Sequence, residues 1–267
     1  MRTGEVGTTV ATTAIAPDGT LVVITHPTPK EPAASGATVT LTFRFLDPET
    51  GKEIGVWEMP MPCPIQSLQD FVTGASANVA TLPATFFSPD GRKLGVALPA
   101  DDGSVRGWAL DPRTGVQEQE FVAPPAESGR ARAPSFFMGV PTGSGAFGPD
   151  GRLAVWVNRD VVVWSGPGAA PVRLTGHDSG GAVAFSSDGR RVFTLDAGTA
   201  GNEARLRVFD LTTGRELVAI RVSLEGMGLL NGSWSSVTPE SLWLEGERVH
   251  VLGGRGVRVF DGTPRKE

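Results

Sequence analysis

Cysteine occurs once in the 267 residues, at Cys63, and histidine three times, at His26, His177 and His250. A lone thiol excludes an internal disulfide framework and cysteine-based zinc clusters, and it fits a reducing compartment. The histidines are dispersed, so no metal or cofactor site is expected. No run approaches the length of an apolar membrane span. The start, MRTGEVGTTV, has no apolar core of a secretory leader, and a cytoplasmic protein is the expectation. Neither sign of charge prevails: 24 basic and 29 acidic residues are mixed along the chain, for a net charge of −5. Nucleic acid and anionic membrane are therefore not expected as partners. Also lacking are a Gly-rich phosphate loop, a Gly-x-Ser-x-Gly nucleophile elbow and an Asp-x-Asp-x-Asp-Gly calcium loop.

Glycine and proline are plentiful, at 35 and 21 residues. Together they make up about a fifth of the chain, below the level of a low-complexity segment, and their placement explains them. Residues 181–220 hold the clearest unit. Strand candidates Ala182–Phe185, Arg191–Leu195, Leu206–Leu211 and a shorter Glu216–Ile220 are separated by Ser-Asp-Gly and Thr-Thr-Gly turns. That order reads as one four-stranded antiparallel meander.

Two landmarks of this unit recur. An opening turn appears as Pro17-Asp18-Gly19, Pro89-Asp90-Gly91, Pro149-Asp150-Gly151, Ser187-Asp188-Gly189 and, degenerate, Leu244-Glu245-Gly246. A closing element appears as Phe45–Gly51, Trp108–Gly115, Trp164-Ser165-Gly166, Phe209–Gly214 and Phe260-Asp261-Gly262, with Asp-x-x-Thr-Gly in the fuller copies. Asp side chains bond backbone N–H groups two residues on, Pro presets φ, and Gly accepts positive φ. Five ordered pairs of such turns around β-branched and aromatic runs indicate radial β repetition.

The Ser-Pro-Asp-Gly-Arg turn followed by an apolar strand, the Val-Arg-x-Trp/Phe-Asp-x-x-Thr-Gly-Arg-Glu-Leu pattern and Gly176-His177 resemble the WD40 family of β-propellers over nearly the whole chain. The likeness departs from the family pattern where Gly-His occurs once and the Trp-Asp pair is replaced in several copies. It implies an all-β, single-domain propeller of about five four-stranded antiparallel blades, near residues 8–60, 80–122, 144–176, 180–222 and 238–267 with 2–7. In this reading Thr3–Val10 pairs with the strand ending at Phe260 and closes the ring; the alternative is a segment of a longer array. The resemblance gives His177 a structural role, with Asp196 as its hydrogen-bond partner, and makes Asp210 and Gly214 framework residues.

The regular turns share one end of the blades, so the long segments Thr25–Ala37, Met59–Pro83, Val122–Ser144, Asp196–Ala204 and Val222–Glu240 share the other. Long loops on a rigid scaffold are where binding concentrates. Within Val122–Ser144, Arg130 and Arg132 precede Phe136, Phe137 and Met138, the composition of interface anchors, although the aromatic run also suits local packing. The starts of the innermost strands offer one carboxylate, Glu240, whereas glycoside hydrolysis needs two. The expectation is a monomeric, non-catalytic scaffold for a protein or peptide, and not an enzyme. Alternatives are a lactonase-like hydrolase using Glu240 with Asp70 or Asp101, and a TolB-like periplasmic propeller.

Overall fold

The structure, a computed structural model, describes residues 8–27, 38–62, 84–99, 104–125, 144–157, 159–166, 168–178, 180–197, 203–223, 242–253 and 256–261. Among these every regular element is a strand, and no helix is long and apolar enough to cross a membrane. The first sheet holds β1 (Thr8–Ile15), β2 (Leu21–Pro27), β3 (Thr38–Leu46) and β4 (Glu53–Pro62). The second holds β5 (Ala84–Phe87), β6 (Leu94–Pro99), β7 (Val105–Leu110) and β8 (Gln117–Ala123). The third holds β9 (Gly145–Phe147), β10 (Leu153–Val157), β11 (Asp160–Trp164) and β12 (Val172–Leu174). The fourth holds β13 (Gly181–Phe185), β14 (Arg191–Ala197), β15 (Glu203–Asp210) and β16 (Arg215–Ser223). The fifth shows three strands among the described residues, β17 (Leu242–Glu245), β18 (Arg248–Gly253) and β19 (Gly256–Asp261). Neighbours in each sheet follow chain order.

Turn chemistry explains this order. In the opening turn the glycine N–H closes back three residues, as Gly91 does to the Ser88 carbonyl at 2.8 Å, with φ of +69°. In the closing turn Gly214 N–H bonds the Asp210 carbonyl at 2.8 Å, while Asp210 Oδ1 accepts the Thr213 N–H at 2.8 Å and its hydroxyl at 3.1 Å. Asp47 does the same for Thr50. The register slips by one residue just before each of these turns, between Phe45 and Leu46 and between Val208 and Phe209. A bulge beside a left-handed glycine lets a turn of this length join two twisted strands.

Strand ends depart from the sequence reading where cross-strand pairing, invisible locally, sets them. The fourth strand of the best copy extends to Ser223, because Val222 and Ser223 continue to pair with Ala204 and Glu203. Thr8–Val10, expected in the last sheet, extend β1 and pair with Thr25–Pro27 of β2. Residues 3–7 lie outside the described residues.

The chain divides into two compact units, Met1–Glu120 with Pro124–Phe136, and Phe121–Ala123 with Phe137–Glu267. One packing rule operates within each. On the second strand of a sheet, alternate residues form a leading face, such as Leu94 and Val96, Val192 and Thr194, or Val249 and Val251. The residues between them form a trailing face, such as Val22 and Ile24, or Phe193 and Leu195. Trailing meets leading. In the first unit Val22 and Ile24 share a core with Leu94 and Val96. In the second, Ala154 and Trp156 share one with Val192, and Phe193 and Leu195 share another with Val249 and Val251. Each fully buried Leu, Val or Phe contributes about 1.5–3 kcal/mol relative to exposure, so these junctions outweigh the turns as a source of stability.

Candidate functional site

A connected polar cluster lies in the fourth sheet and the Gly176-His177 segment before it. Gly176 has φ of +95° and turns the chain so that the His177 ring points inward. The ring is buried, edge-on to the Trp156 indole at 4.5 Å and near Phe209 at 5.4 Å. Its Nδ1–H donates to the Arg159 carbonyl at 3.2 Å, leaving Nε2 to accept the Thr194 hydroxyl at 3.0 Å. Burial, then the nearby Arg207 charge, lowers its pKa from 6.5 to about 4. The imidazole is thus neutral at pH 7, as its two hydrogen bonds require.

Asp196 was expected to bond His177. It does not: Thr194 and Asp196 share one face of β14, two residues apart, and the ring sits against Thr194. Asp196 has other partners. Its Oδ2 accepts the Asp178 N–H at 2.9 Å and its Oδ1 faces Arg207 Nε at 3.3 Å. Burial raises its pKa against these stabilising contacts. Arg207 also donates to Glu216 at 2.7 Å, and Arg205 pairs with Asp178 at 3.2 Å. For Arg207, burial opposes the charge but the Glu216 and Asp196 carboxylates outweigh it, so its pKa rises. The chain Arg205, Asp178, Asp196, Arg207, Glu216 ties the Gly-His segment to β14, β15 and β16. Thr194, Asp196 and His177 have almost no solvent contact, and the hydroxyl is already committed to the ring.

Sequence reasoning overlooked Thr194 and Arg207. A signal existed in Arg207, a cation inside the apolar alternation Leu206-Arg207-Val208-Phe209, and in Asp196, an anion ending the facing strand. Asp210 and Gly214 sit in the closing turn. His250 stacks on Trp243 with ring centroids 5.0 Å apart, and His26 falls in β2. Arg130, Arg132, Phe136, Phe137 and Met138 lie outside the described residues, as do Glu240, Asp70, Asp101 and Cys63. Among the described residues no three His, Cys, Asp or Glu side chains group as metal ligands do.

No protein-family model and no curated protein matches the sequence. Solved structures similar to the chain include Kuenenia stuttgartiensis hydrazine synthase, at 18% identity and a TM-score of 0.45, covering 84% of this chain and 53% of that one. A candidate 6-phosphogluconolactonase from Bacteroides fragilis matches at 12% identity and 0.47, covering 98% and 78%. The Dos1 propeller matches at 9% and 0.46, covering 97% and 70%. The chain spans about half the length of the hydrazine synthase chain it resembles. One expectation is overturned here. The chain read as non-enzymatic is similar in structure to a candidate lactonase, and the carboxylates weighed for hydrolysis, Glu240, Asp70 and Asp101, lie outside the described residues. Sparse strand starts therefore exclude no catalysis. What stands is an all-β chain of consecutive antiparallel meanders, similar to solved structures that include a propeller.

Proposed function

We propose that this chain is a WD40-like, propeller-type scaffold of about five blades that binds a protein or peptide through the irregular segments opposite its capped turns. The observation that carries this reading is the asymmetry of the first, second and fourth sheets. Asp18, Asp47, Asp90, Asp111, Asp188 and Asp210 each accept backbone N–H groups and hold the turns at one end tight. The connections at the other end, such as residues 28–37, 63–83 and 126–143, are free to vary in length and composition at no cost to that framework. Arg130 and Arg132 with Phe136, Phe137 and Met138 supply the anchors: guanidinium and aromatic groups desolvate well and dominate interface energetics. His177, Asp196, Asp210 and Gly214 hold the framework.

The test is to select peptides against the purified full chain from a displayed library and titrate the best by fluorescence anisotropy. The triple variant Arg132→Ala, Phe136→Ala, Phe137→Ala is expected to bind at least about tenfold more weakly with its melting temperature unchanged. An unchanged Kd removes this segment as the binding site. Turnover of 6-phosphogluconolactone by the same preparation would replace the reading with a hydrolytic one.

A further inference from the structure

Four opening turns among the described residues set an aspartate before a glycine of positive φ: Asp18-Gly19, Asp90-Gly91, Asp150-Gly151 and Asp188-Gly189. With no Cβ on the glycine, its backbone nitrogen can reach the preceding side-chain carboxyl. Three of the turns hold the two groups apart. Ser88 and Ser186 hydroxyls donate to Asp90 and Asp188 Oδ1 at 2.6 and 2.7 Å, and the Arg92 and Arg190 N–H groups add bonds of 3.1 and 3.0 Å. In the first turn Ala16 stands at the serine position, and the Thr20 N–H donates to Asp18 Oδ1 at 2.9 Å. The glycine N–H groups are committed as well. Gly19, Gly91 and Gly189 donate to the Ala16, Ser88 and Ser186 carbonyls at 2.9, 2.8 and 2.9 Å.

The third turn departs on both counts. Its serine position is Gly148, and Asp150 turns instead to the Arg152 side chain, with Oδ2 2.9 Å from Nε. The Gly151 N–H reaches the Gly148 carbonyl at 3.3 Å, the longest of the four. Solvent access does not separate the turns, since the Asp90 and Asp150 side chains are 60% and 52% exposed. Packing accounts for the missing hydroxyl. A Cβ at position 148 would stand 3.0 Å from Arg152 Cβ and 3.2 Å from Phe185 Cδ1 of the fourth sheet, so the neighbouring sheet favours glycine where its sister turns carry serine.

We propose that Asp150-Gly151 is a site of spontaneous covalent modification, closing to a succinimide and reopening to isoaspartate faster than its three sister turns. The Gly151 nitrogen attacks Cγ of the protonated Asp150 carboxyl, and one carboxyl oxygen leaves as water with the amide and carboxyl protons. Solvent water then adds across the imide: attack at Cγ restores aspartate, and attack at the Asp150 backbone carbonyl leaves the chain linked through Cγ. The reaction requires a carboxyl that can rotate and take up a proton. In the second and fourth turns the serine hydroxyls hold Asp90 and Asp188 below the usual carboxylate range, in the unreactive ionised form. An exposed pair such as Asp150 with Arg152 restrains its members weakly. Isoaspartate adds one methylene to the turn joining β9 and β10 and withdraws the Asp150 side chain from Arg152. Arg152 Nη1 donates to the Gly189 carbonyl at 2.6 Å, so the change loosens a link between the third and fourth sheets.

The test is to incubate the full folded chain for weeks at neutral pH, digest it, and locate isoaspartate by electron-transfer fragmentation of the peptides. Isoaspartate is expected to accumulate at Asp150 about tenfold faster than at Asp90 and Asp188, the factor that a net hydrogen bond or two supplies. Asp18, with its single backbone donor, is expected to fall between. Ser88→Ala removes the hydroxyl from the second turn and should raise accumulation at Asp90 toward the Asp150 rate while leaving Asp150 unchanged. Unchanged near-ultraviolet circular dichroism establishes that the variant folds, and Ser186→Ala, read at Asp188, substitutes if it does not. Equal rates at the four turns, or a faster rate at any of the other three, overturn the proposal. So does a folded serine variant whose aspartate isomerises no faster than in the wild type.

Discussion

Arg207 Nε lies 3.3 Å from Asp196 Oδ1, an ion pair across β14 and β15 with both side chains withdrawn from solvent. The arginine closes one end of the polar chain through Glu216, and the aspartate receives the backbone of the Gly-His segment through Asp178. Removing one partner leaves the other charge buried without compensation. Arg207→Met should cost about 3–5 kcal/mol, and Arg207→Met with Asp196→Leu should recover much of it, because a buried pair replaced by apolar groups loses its desolvation cost as well as its attraction. Urea unfolding of the two single variants and the double variant measures the coupling. Additive losses would show that the pair does not act as a unit.

Stability should depend on pH through His177. The unfolded imidazole binds its proton near 6.5 and the folded one near 4, because burial and Arg207 oppose the charge. Between these values the unfolded chain holds more protons, so the contribution is complete above 6.5 and is lost as pH falls toward 4, to a depth of about 3 kcal/mol. Asp196, raised by burial, acts oppositely at the acidic end, since its folded form accepts the proton more readily. The turn carboxylates Asp90, Asp188 and Asp210, lowered first by Ser88, Ser186 and Thr213, matter only once pH falls below their unfolded value of 3.8. Unfolding free energies at pH 7, 5.5 and 4.5 should fall steeply for the wild type and more gently for His177→Gln.

Two glycines should respond differently to alanine. Gly51 has φ of +65° with open space where a Cβ would stand, so Gly51→Ala bears the left-handed backbone penalty of about 1 kcal/mol alone. At Gly181 a Cβ would drive into the Leu195 carbonyl of the paired strand, and Ser144 Oγ donates to the Gly181 carbonyl from the third sheet. Gly181→Ala must displace a β13–β14 pairing and should cost more than about 3 kcal/mol. Thermal melts of the two variants give the order directly.

Much of the fold was legible because its signals are local. Asp-Gly and Asp-x-x-Thr-Gly turns are decided within five residues, and alternation between them marks strands. Properties set across strands were not legible. Nothing near Ser223 announces that β16 continues to it, since its pairing partner is Glu203. Thr194 reads as an ordinary strand threonine, and only the folded register places its hydroxyl under the His177 ring. Arg207 reads as a solvated charge until Asp196 and Glu216 are placed beside it.

Hydrogen exchange of the full chain with and without a selected peptide tests the binding assignment most directly. Slowed exchange concentrated in residues 126–143, with the strands of the fourth sheet unchanged, is the result predicted by a scaffold that binds through its irregular segments. Protection confined to the capped turns or to β17–β19, with residues 126–143 unaffected, would contradict it.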